Sequence, residues 1–215
     1  MTIMATLLGV YTAVVGFLLF IFLLTTLMNL FLFPKLRVPS PVPQLEGKLS
    51  ILIPARNEAV VIYETVRRLL NQTLGDFELI ILDDQSEDDT AVLIRKAAQD
   101  DPRLRLISGQ PLPEGWLGKN WACHQLAQSA SGDWLLFADA DVQWKPQALA
   151  ALIANQQNNQ ADLLTVWPTQ LTNSWAEKLV IPLMKFSIIS YLPHLAVNHF
   201  PWPIFAAANG QCLLF

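Results

Sequence analysis

The chain has 215 residues, of which 53% are hydrophobic and 15% are charged, and its formal net charge is -4. This acidic balance, with no basic stripe that carries interleaved aromatic residues, argues against a nucleic-acid-binding protein. The hydrophobic fraction is higher than that of an ordinary soluble domain. We therefore expect one folded domain together with a membrane segment.

The apolar N-terminal stretch is the first predicted element. No Asp, Glu, Lys, Arg or His occurs between Met4 and Phe33, and about 20 apolar helical residues suffice to cross the hydrocarbon core of a bilayer. A secretory signal is the alternative, but the start lacks a basic region, the apolar run is too long, and no small-x-small cleavage site follows. The sequence therefore predicts a single transmembrane anchor at residues 1–33.

Positive charges after this helix predict its orientation. Lys35, Arg37 and Lys48 follow the apolar stretch, whereas the N-terminal side offers only the α-amine. Because basic residues that flank a membrane helix accumulate on the cytoplasmic side, we expect the remainder of the chain to be cytoplasmic.

A stiff linker and an α/β domain are predicted next. Four prolines, Pro34, Pro39, Pro41 and Pro43, favour an extended linker at residues 34–46. From residue 47 to 172, short apolar runs alternate with helical periods, which indicates a mostly parallel sheet covered by helices. The predicted strands are 50–53, 77–82, 104–107, 134–137 and 162–166, and the predicted helices are 58–70, 87–99, 121–130 and 146–155.

Two of these strands end in pairs of acids. The strand from Trp134 stops at Asp139 and Asp141, and the strand from Phe77 stops at Asp83 and Asp84. Ligands of open α/β sheets bind at the carboxyl ends of the strands. We favour a binding role for Asp84 and leave Asp83 open between binding and solvation.

Asp139 and Asp141 are the stronger candidates for a metal site. Carboxylates at positions i and i+2 of an extended segment face the same side and repel each other unless a cation lies nearby. Mg²⁺ or Mn²⁺ fits best because hard oxygen ligands select hard cations. The alternative is that one of these acids, Asp139 more readily than Asp141, caps the turn that leads to Pro146.

Three further segments surround these strand ends. The loop Pro54–Glu58 enters a helix, where backbone amides could meet a nucleotide, but it lacks the glycines of a dinucleotide or phosphate loop. Lys119 could pair with a phosphate or with the acids, although a lysine at a loop end is usually solvated. Ser86 is predicted to be the N-cap of helix 87–99, with Glu87, Asp88 and Asp89 in its first turn.

Taken together, four segments resemble the glycosyltransferases of family 2 in order and spacing. They are Ile53–Glu58, Leu82–Thr90, Gly118–Ala122 and Asp139–Asp141. The loop Gly115–Lys119 further resembles the membrane-anchored bacterial branch with hopanoid-associated and carotenoid glycosyltransferases. The resemblance covers about residues 46–215 and implies a GT-A fold that takes a nucleotide-activated sugar, often a UDP-sugar, and inverts its anomeric centre.

The resemblance also implies roles for single residues. Asp84 would contact the base, and Lys119 would help to hold the donor. Asp139 and Asp141 would meet the ribose and the metal-bound diphosphate. The remaining implied nucleotide-pocket residues are Pro54, Ala55, Arg56, Asn57 and Glu58.

One part of the family pattern is missing from the sequence. The family takes its general base from a Glu-Asp pair downstream of the segment that Ala208–Gln211 resembles, and this chain has no Asp or Glu from Phe186 to Phe215. We expect the catalytic base beyond Phe215. The chain is interpreted as the N-terminal part of a longer enzyme, or as a split or degenerate member that binds donor without transferring it.

The last segment, residues 173–215, is rich in aromatic and aliphatic residues. Its prolines, Pro182, Pro193, Pro201 and Pro203, argue against one long spanning helix. An interfacial segment that brings the site to a lipid-borne acceptor is the prediction. The alternative is a buried hydrophobic hairpin that packs against a missing C-terminal part. In both interpretations, residues 173–215 form an incomplete acceptor region.

Two other functions stay open at this stage. A strand followed by Asp-x-Asp also opens phosphatases of the haloacid dehalogenase type, with Asp139 as nucleophile and Asp141 as acid, but Gln143 stands where they need Thr or Val. The second is a non-catalytic nucleotide-sugar-binding membrane module whose partner chain supplies the remaining residues.

Overall fold

The computed structural model describes residues 2–41, 44–200 and 202–215, and the described chain divides into two compact units. The sheet unit comprises Leu36–Pro168 and Ala208–Phe215. The apolar unit comprises the N-terminal residues up to Lys35 and Thr169–Ala207. Pro43 of the predicted linker and Pro201 of the predicted interfacial segment lie outside the described residues.

A mixed, mostly parallel sheet organises the sheet unit. Among the described residues it has six strands in the order β3-β2-β1-β4-β6-β5. The first four of these are parallel, and β6 runs antiparallel between β4 and β5. The strands are β1 Leu49–Ala55, β2 Phe77–Asp83, β3 Leu104–Ser108, β4 Trp134–Ala138, β5 Leu164–Thr165 and β6 Cys212–Leu214. The predicted fold class is confirmed.

Helices cover both faces of this sheet. They are α2 Ile62–Leu70, α3 Thr90–Ala98, α4 Gly118–Ser129 and α5 Ala148–Asn159. Alternate residues of a strand point to opposite faces, so Ile51 and Ile53 pack with α2, α3 and α5, whereas Leu52 packs with α4. Burial on both faces explains why the strands are continuous apolar runs.

The predicted helix starts are less accurate than the predicted strands. Helix α2 begins at Ile62 and α3 at Thr90, several residues after the predicted starts. The prediction that Ser86 caps α3 is wrong, because the Ser86 hydroxyl accepts a hydrogen bond from the Asn57 amide. The three acids after Ser86 precede the helix, and Asp88 accepts from the amides of Ala59 and Thr90. These residues connect two loops instead of forming a first helical turn.

Strand β6 lies in the segment for which no strand was predicted. Residues from Ala208 onward belong to the sheet unit, while Thr169–Ala207 belong to the apolar unit. Cys212 and Leu214 are buried against β4, with Cys212 opposite Ala138. A strand of three residues is too short to show a period, and its pairing partners lie far away in sequence.

A polar cluster joins the amino ends of the first strands. The Glu78 carboxylate accepts hydrogen bonds from the hydroxyl of Ser50 (2.5 Å) and from the amide (2.7 Å) and hydroxyl (2.9 Å) of Ser131. The Lys48 ammonium lies 3.5 Å from its second oxygen. Gly132 donates its amide to Ser50, and a Cβ at this glycine would lie 2.6 Å from the Lys48 carbonyl oxygen. Only glycine fits this close approach.

The apolar unit is built on a long helix, α1 Thr2–Leu32, of 31 residues. At 1.5 Å per residue it is about 46 Å long, which exceeds the roughly 30 Å hydrocarbon thickness of a bilayer. In the described part of the chain it is the one helix long and apolar enough to cross a membrane, with a mean hydropathy of 2.6.

Two shorter helices, α6 Trp175–Tyr191 and α7 His194–His199, complete the apolar unit. Ser174 and Glu177 form a capping box at the start of α6. Helix α6 continues through Pro182 and ends before Pro193, so no single long helix spans this segment, as the prolines predicted. Its side chains at Trp175, Leu183 and Tyr191 are largely exposed.

Asn29 of α1 joins these helices through its side chain. Its amide nitrogen donates to the carbonyls of Ile189 and Leu192, both at 2.6 Å, and its amide oxygen accepts from the His194 backbone at 3.1 Å. Backbone groups at helix ends lack partners within the helix. Asn29, which is 3% exposed, therefore satisfies the end of α6 and the start of α7 together.

Candidate functional site

A cleft of about 360 Å³ lies at the carboxyl ends of β1, β2 and β4. These strands are parallel neighbours, so the loops that follow them meet at one edge of the sheet. The cleft is lined by Pro54, Ala55, Arg56, Glu58, Asp84, Gly118, Lys119, Ala122, Asp139, Ala140 and Asp141. Every predicted site residue except Asn57 lines it.

Asn57 is not among the residues that line the cleft, but it holds together two of the loops that form it. Its backbone has a positive φ of 56°, a conformation that asparagine tolerates better than most residues. Its amide donates to the Ser86 hydroxyl at 3.0 Å, and its side-chain oxygen accepts from the Glu87 amide at 2.8 Å. Asn57 therefore joins the loop after β1 to the loop after β2.

The two acids after β2 have different surroundings. The Asp83 carboxylate accepts a hydrogen bond from the Ser86 amide at 3.1 Å, which shapes the turn. Asp84 lines the cleft, and its amide donates to the Ala55 carbonyl at 2.8 Å. A Cβ at the neighbouring Gly109 would lie 3.1 Å from the Asp84 carboxylate, so this glycine leaves the carboxylate room. The position of Asp84 suits a ligand contact, and that of Asp83 suits the turn.

Asp139, Ala140 and Asp141 form a tight turn after β4. The Val142 amide donates to the Asp139 carbonyl at 3.3 Å, and the Asp139 amide donates to the Gln211 carbonyl at 3.1 Å. Ala140 and Val142 are buried, whereas Asp139 is partly exposed and Asp141 is exposed. This alternation turns both carboxylates toward the cleft.

A lysine lies beside the first of these carboxylates. The Lys119 ammonium is 2.5 Å from Asp139 Oδ1, with 54% of the lysine side chain and 25% of the aspartate side chain exposed. Lys119 is placed by the start of α4, which begins at Gly118. In this structure the partner of the Asp139 carboxylate is therefore a lysine.

Four carboxylates and two cationic side chains, Arg56 and Lys119, line the cleft, so its formal charge is negative. Partial burial raises the pKa of Glu58, and the nearby charges of Asp141 and Asp139 raise it further. Burial likewise raises the pKa of Cys123, and it raises that of Cys212 to about 12, in both cases with a contribution from Asp139. Both thiols therefore stay neutral near pH 7 and add no charge beside the acids.

The proximity of these cysteines was not predicted from the sequence. Cys212 comes beside Asp139 through the pairing of β6 with β4, and Cys123 through α4. Ala122 and Ala140 also line the cleft without a chemical signature. The spacing of residues along the chain predicts neither the cysteines beside Asp139 nor the alanines that line the cleft.

The donor set fits a divalent cation that is shared with a substrate. In residues 2–41, 44–200 and 202–215, no group of three His, Cys, Asp or Glu side chains is arranged to hold a metal alone. Mg²⁺ is commonly held by one or two carboxylates, with waters and substrate phosphates completing its shell. Asp139 and Asp141 match that pattern.

The sequence model of glycosyl transferase family 2 matches residues 50–197, well over half of the chain. The chain therefore belongs to glycosyl transferase family 2. The strand ends that build the cleft lie inside this match. The haloacid dehalogenase alternative has no support from this assignment.

Curated relatives include several bacterial transferases. A GalNAc(5)-diNAcBac-PP-undecaprenol beta-1,3-glucosyltransferase of Campylobacter jejuni is 31% identical over 53% of this chain and 36% of its own length. A 4,4'-diaponeurosporenoate glycosyltransferase of Staphylococcus haemolyticus is 31% identical over 56% of this chain and 32% of its own. The expected likeness to carotenoid glycosyltransferases is confirmed. The chain spans about a third of the length of these relatives.

Solved structures confirm the fold. A mannosyltransferase from Pyrobaculum calidifontis, in complex with GDP-Man and Mn²⁺, has a TM-score of 0.65 at 17% identity, over 96% of this chain and 55% of that one. The glucosyl-3-phosphoglycerate synthase of M. tuberculosis has a TM-score of 0.50 at 22% identity, over 77% of this chain and 56% of that one. At these identities the likeness shows the GT-A-like fold.

Proposed function

We propose that this chain is the donor-binding part of a metal-dependent, inverting glycosyltransferase. It would move a sugar from a nucleoside diphosphate, with UDP as the proposed nucleotide, to a hydroxyl of a lipid-borne acceptor. The observation that carries the proposal is the cleft, because Asp84, Lys119, Asp139 and Asp141 meet there from different parts of the sheet. Family membership supports the same reaction class.

Each side chain has a proposed part in holding the donor. The loop Pro54–Glu58 and Asp84 would line the base and ribose side of the donor. Asp139 and Asp141 would hold Mg²⁺ or Mn²⁺, which neutralises the charge that builds on the diphosphate as the glycosidic bond breaks. Lys119, whose ammonium lies beside Asp139, would contribute its positive charge to holding the diphosphate.

The acceptor proton needs a separate group. An inverting transfer requires a base that takes the proton of the attacking hydroxyl. The carboxylates that line the cleft are assigned to the donor, and no Asp or Glu occurs from Phe186 to Phe215. We therefore propose none of the carboxylates that line the cleft as this base.

The apolar unit supports a lipid-borne acceptor. Helix α1 is apolar enough to cross a membrane, and α6 exposes large apolar side chains along its length. The names of two relatives, from Campylobacter jejuni and Staphylococcus haemolyticus, describe undecaprenol-linked and carotenoid substrates. An active site tied to a membrane helix would receive such acceptors from the bilayer.

Calorimetry of the detergent-solubilised chain tests the proposal directly. UDP is expected to bind in the presence of Mn²⁺ and to lose most of its affinity in EDTA, because the diphosphate needs the cation to approach two carboxylates. A GDP titration under the same conditions tests the choice of base. Equal UDP affinity with and without Mn²⁺ would contradict metal-assisted binding, and no binding of either nucleotide would contradict the donor site.

The proposed orientation makes a second prediction. If Lys35 and Arg37 keep the C-terminal side of α1 in the cytoplasm, a protease added to everted bacterial membrane vesicles should digest the sheet unit. The same protease added to intact spheroplasts should leave it protected. Digestion in spheroplasts with protection in everted vesicles would place the cleft on the opposite side of the membrane.

A further inference from the structure

Thr65 of α2 is a buried polar residue that lies behind the cleft. It is 3% exposed, and its hydroxyl donates to the Ala140 carbonyl at 2.7 Å. The Val61 carbonyl of its own helix lies at 3.2 Å. A hydroxyl carries one proton, and the shorter distance indicates that Ala140 is its main acceptor. Thr65 therefore bonds the backbone between the two carboxylates proposed to bind metal.

The hydrogen bond from Thr65 holds the middle of the turn Asp139–Val142. The backbone bonds of the turn involve Asp139, Val142 and Gln211, on either side of the peptide that joins Ala140 to Asp141. The Ala140 carbonyl belongs to that planar peptide unit. Fixing this oxygen limits rotation of the peptide plane, and with it the direction in which the Asp141 side chain leaves the backbone.

The geometry points to Thr65 as a positioning residue that sets the separation of the Asp139 and Asp141 carboxylates for the cation, an inference that rests on the proposed function. Thr65 touches neither the cation nor the nucleotide in this role. It acts through the Ala140 carbonyl, and its own place is set by α2.

Helix α2 extends the effect to the nucleotide loop. The amides of Val61 and Ile62 donate to the Glu58 carbonyl at 3.0 and 2.9 Å, so the loop that lines the cleft is continuous with the first turn of α2. Thr65 lies one turn further along the same helix. Helix α2 therefore connects the loop Pro54–Glu58 to Thr65, the residue that bonds the turn Asp139–Val142.

Gln72, two residues after the end of α2, offers a matched control, because its side chain also donates to the Arg68 carbonyl of that helix. It is 7% exposed, donates to the Lys145 carbonyl at 2.7 Å, and accepts from the Leu149 amide at 3.1 Å. Like Thr65, Gln72 bonds the segment that follows β4. Its partners, Lys145 and Leu149, come after the turn Asp139–Val142. A variant here disturbs the packing of α2 without touching the Ala140 carbonyl.

The experiment compares Thr65→Val, Thr65→Ser and Gln72→Met in the detergent-solubilised full chain. Valine keeps the shape and removes the donor, which leaves the Ala140 carbonyl without its partner, whereas serine keeps the donor. Hydrogen exchange of the peptide that covers 138–143 is measured without ligand. UDP affinity is measured by calorimetry at a fixed Mn²⁺ concentration.

Thr65→Val is expected to speed exchange of the hydrogen-bonded amides in the 138–143 peptide by about 5- to 10-fold and to weaken UDP binding by a similar factor, as expected for one lost buried hydrogen bond. Thr65→Ser should stay within about twofold of the wild type in both measurements. Gln72→Met should lower the melting temperature and leave both quantities unchanged.

Other results would overturn the inference. They are unchanged exchange in Thr65→Val, equal losses in Thr65→Val and Gln72→Met, or failure of Thr65→Ser to restore the wild-type values. If the wild type itself binds no nucleotide, the proposed function fails, and the exchange rates still decide whether Thr65 orders the turn.

Discussion

Asp141→Asn is expected to weaken Mn²⁺-dependent UDP binding by more than about 100-fold. Loss of a partner that only orients a metal ligand typically costs 10- to 100-fold in metal affinity, and Asp141 is proposed as a ligand itself. Asparagine keeps the shape of the side chain but removes the negative charge. The exposed position of Asp141 means that folding should be unaffected.

Asp76→Asn is the matched control for this prediction. Asp76 is an exposed aspartate that precedes β2, at the end of the strand opposite to the cleft. The control removes the same charge from the same unit and should leave the UDP affinity unchanged. Unchanged affinity in Asp141→Asn, with the wild type binding UDP through Mn²⁺, would refute the role assigned to Asp141.

Glu78→Gln is expected to lower the free energy of unfolding by about 3 kcal/mol at pH 7. Burial by itself raises the pKa of Glu78, but hydrogen bonds from Ser50 and Ser131 and the charge of Lys48 outweigh it and lower the pKa to about 2. Each unit of difference from the unfolded value corresponds to about 1.4 kcal/mol. The side chain is 12% exposed, so solvent screening is limited.

The sign of the pH dependence follows from the direction of this shift. A carboxyl whose pKa is lower in the folded state stabilises the fold above its unfolded pKa of about 4.5, and this contribution is lost as the pH falls toward 2. The difference between wild type and Glu78→Gln should therefore be full at pH 7 and shrink between about pH 4.5 and pH 2. Denaturant unfolding followed by tryptophan fluorescence measures it.

Glu64→Gln provides the comparison for Glu78. Glu64 pairs with Arg68 at 3.7 Å on the exposed side of α2, with 68% and 44% of the two side chains exposed. Exposed pairs of this kind contribute between zero and about 1 kcal/mol. If Glu78→Gln lowers the free energy of unfolding no more than Glu64→Gln does, the buried hydrogen bonds of Glu78 contribute little to stability.

Local patterns in the sequence predicted the strands and the position of the acids at the strand ends well. The apolar runs around Ile51, Ile80 and Leu136 are buried on both faces, and burial of this kind leaves a continuous signal. Acids at the strand ends could be located because a parallel sheet brings its carboxyl ends to one edge. The loop segments predicted the family, and the match of the family model to residues 50–197 confirms it.

Contacts between distant residues could not be predicted in this way. The bond from Thr65 to Ala140 spans 75 residues, and those from Asn29 to Ile189 and Leu192 span 160 and 163. A threonine in a helix is compatible with many partners, so its type gives no indication of which one it finds. Ser86 illustrates the converse, because a good local cap was overridden by a bond from another loop.

The bonds of Asn29 also have a consequence for the order of synthesis. Asn29 is synthesised 160 residues before Ile189, whose carbonyl its side-chain amide binds. At about 5 to 20 residues per second, α1 exists for roughly 8 to 30 s before the end of α6 is translated. During that interval the amide must pair with lipid headgroups, water, another helix or a second nascent copy of α1. The bend between α6 and α7 is thus a late step in folding, completed by a residue that was among the first to be made.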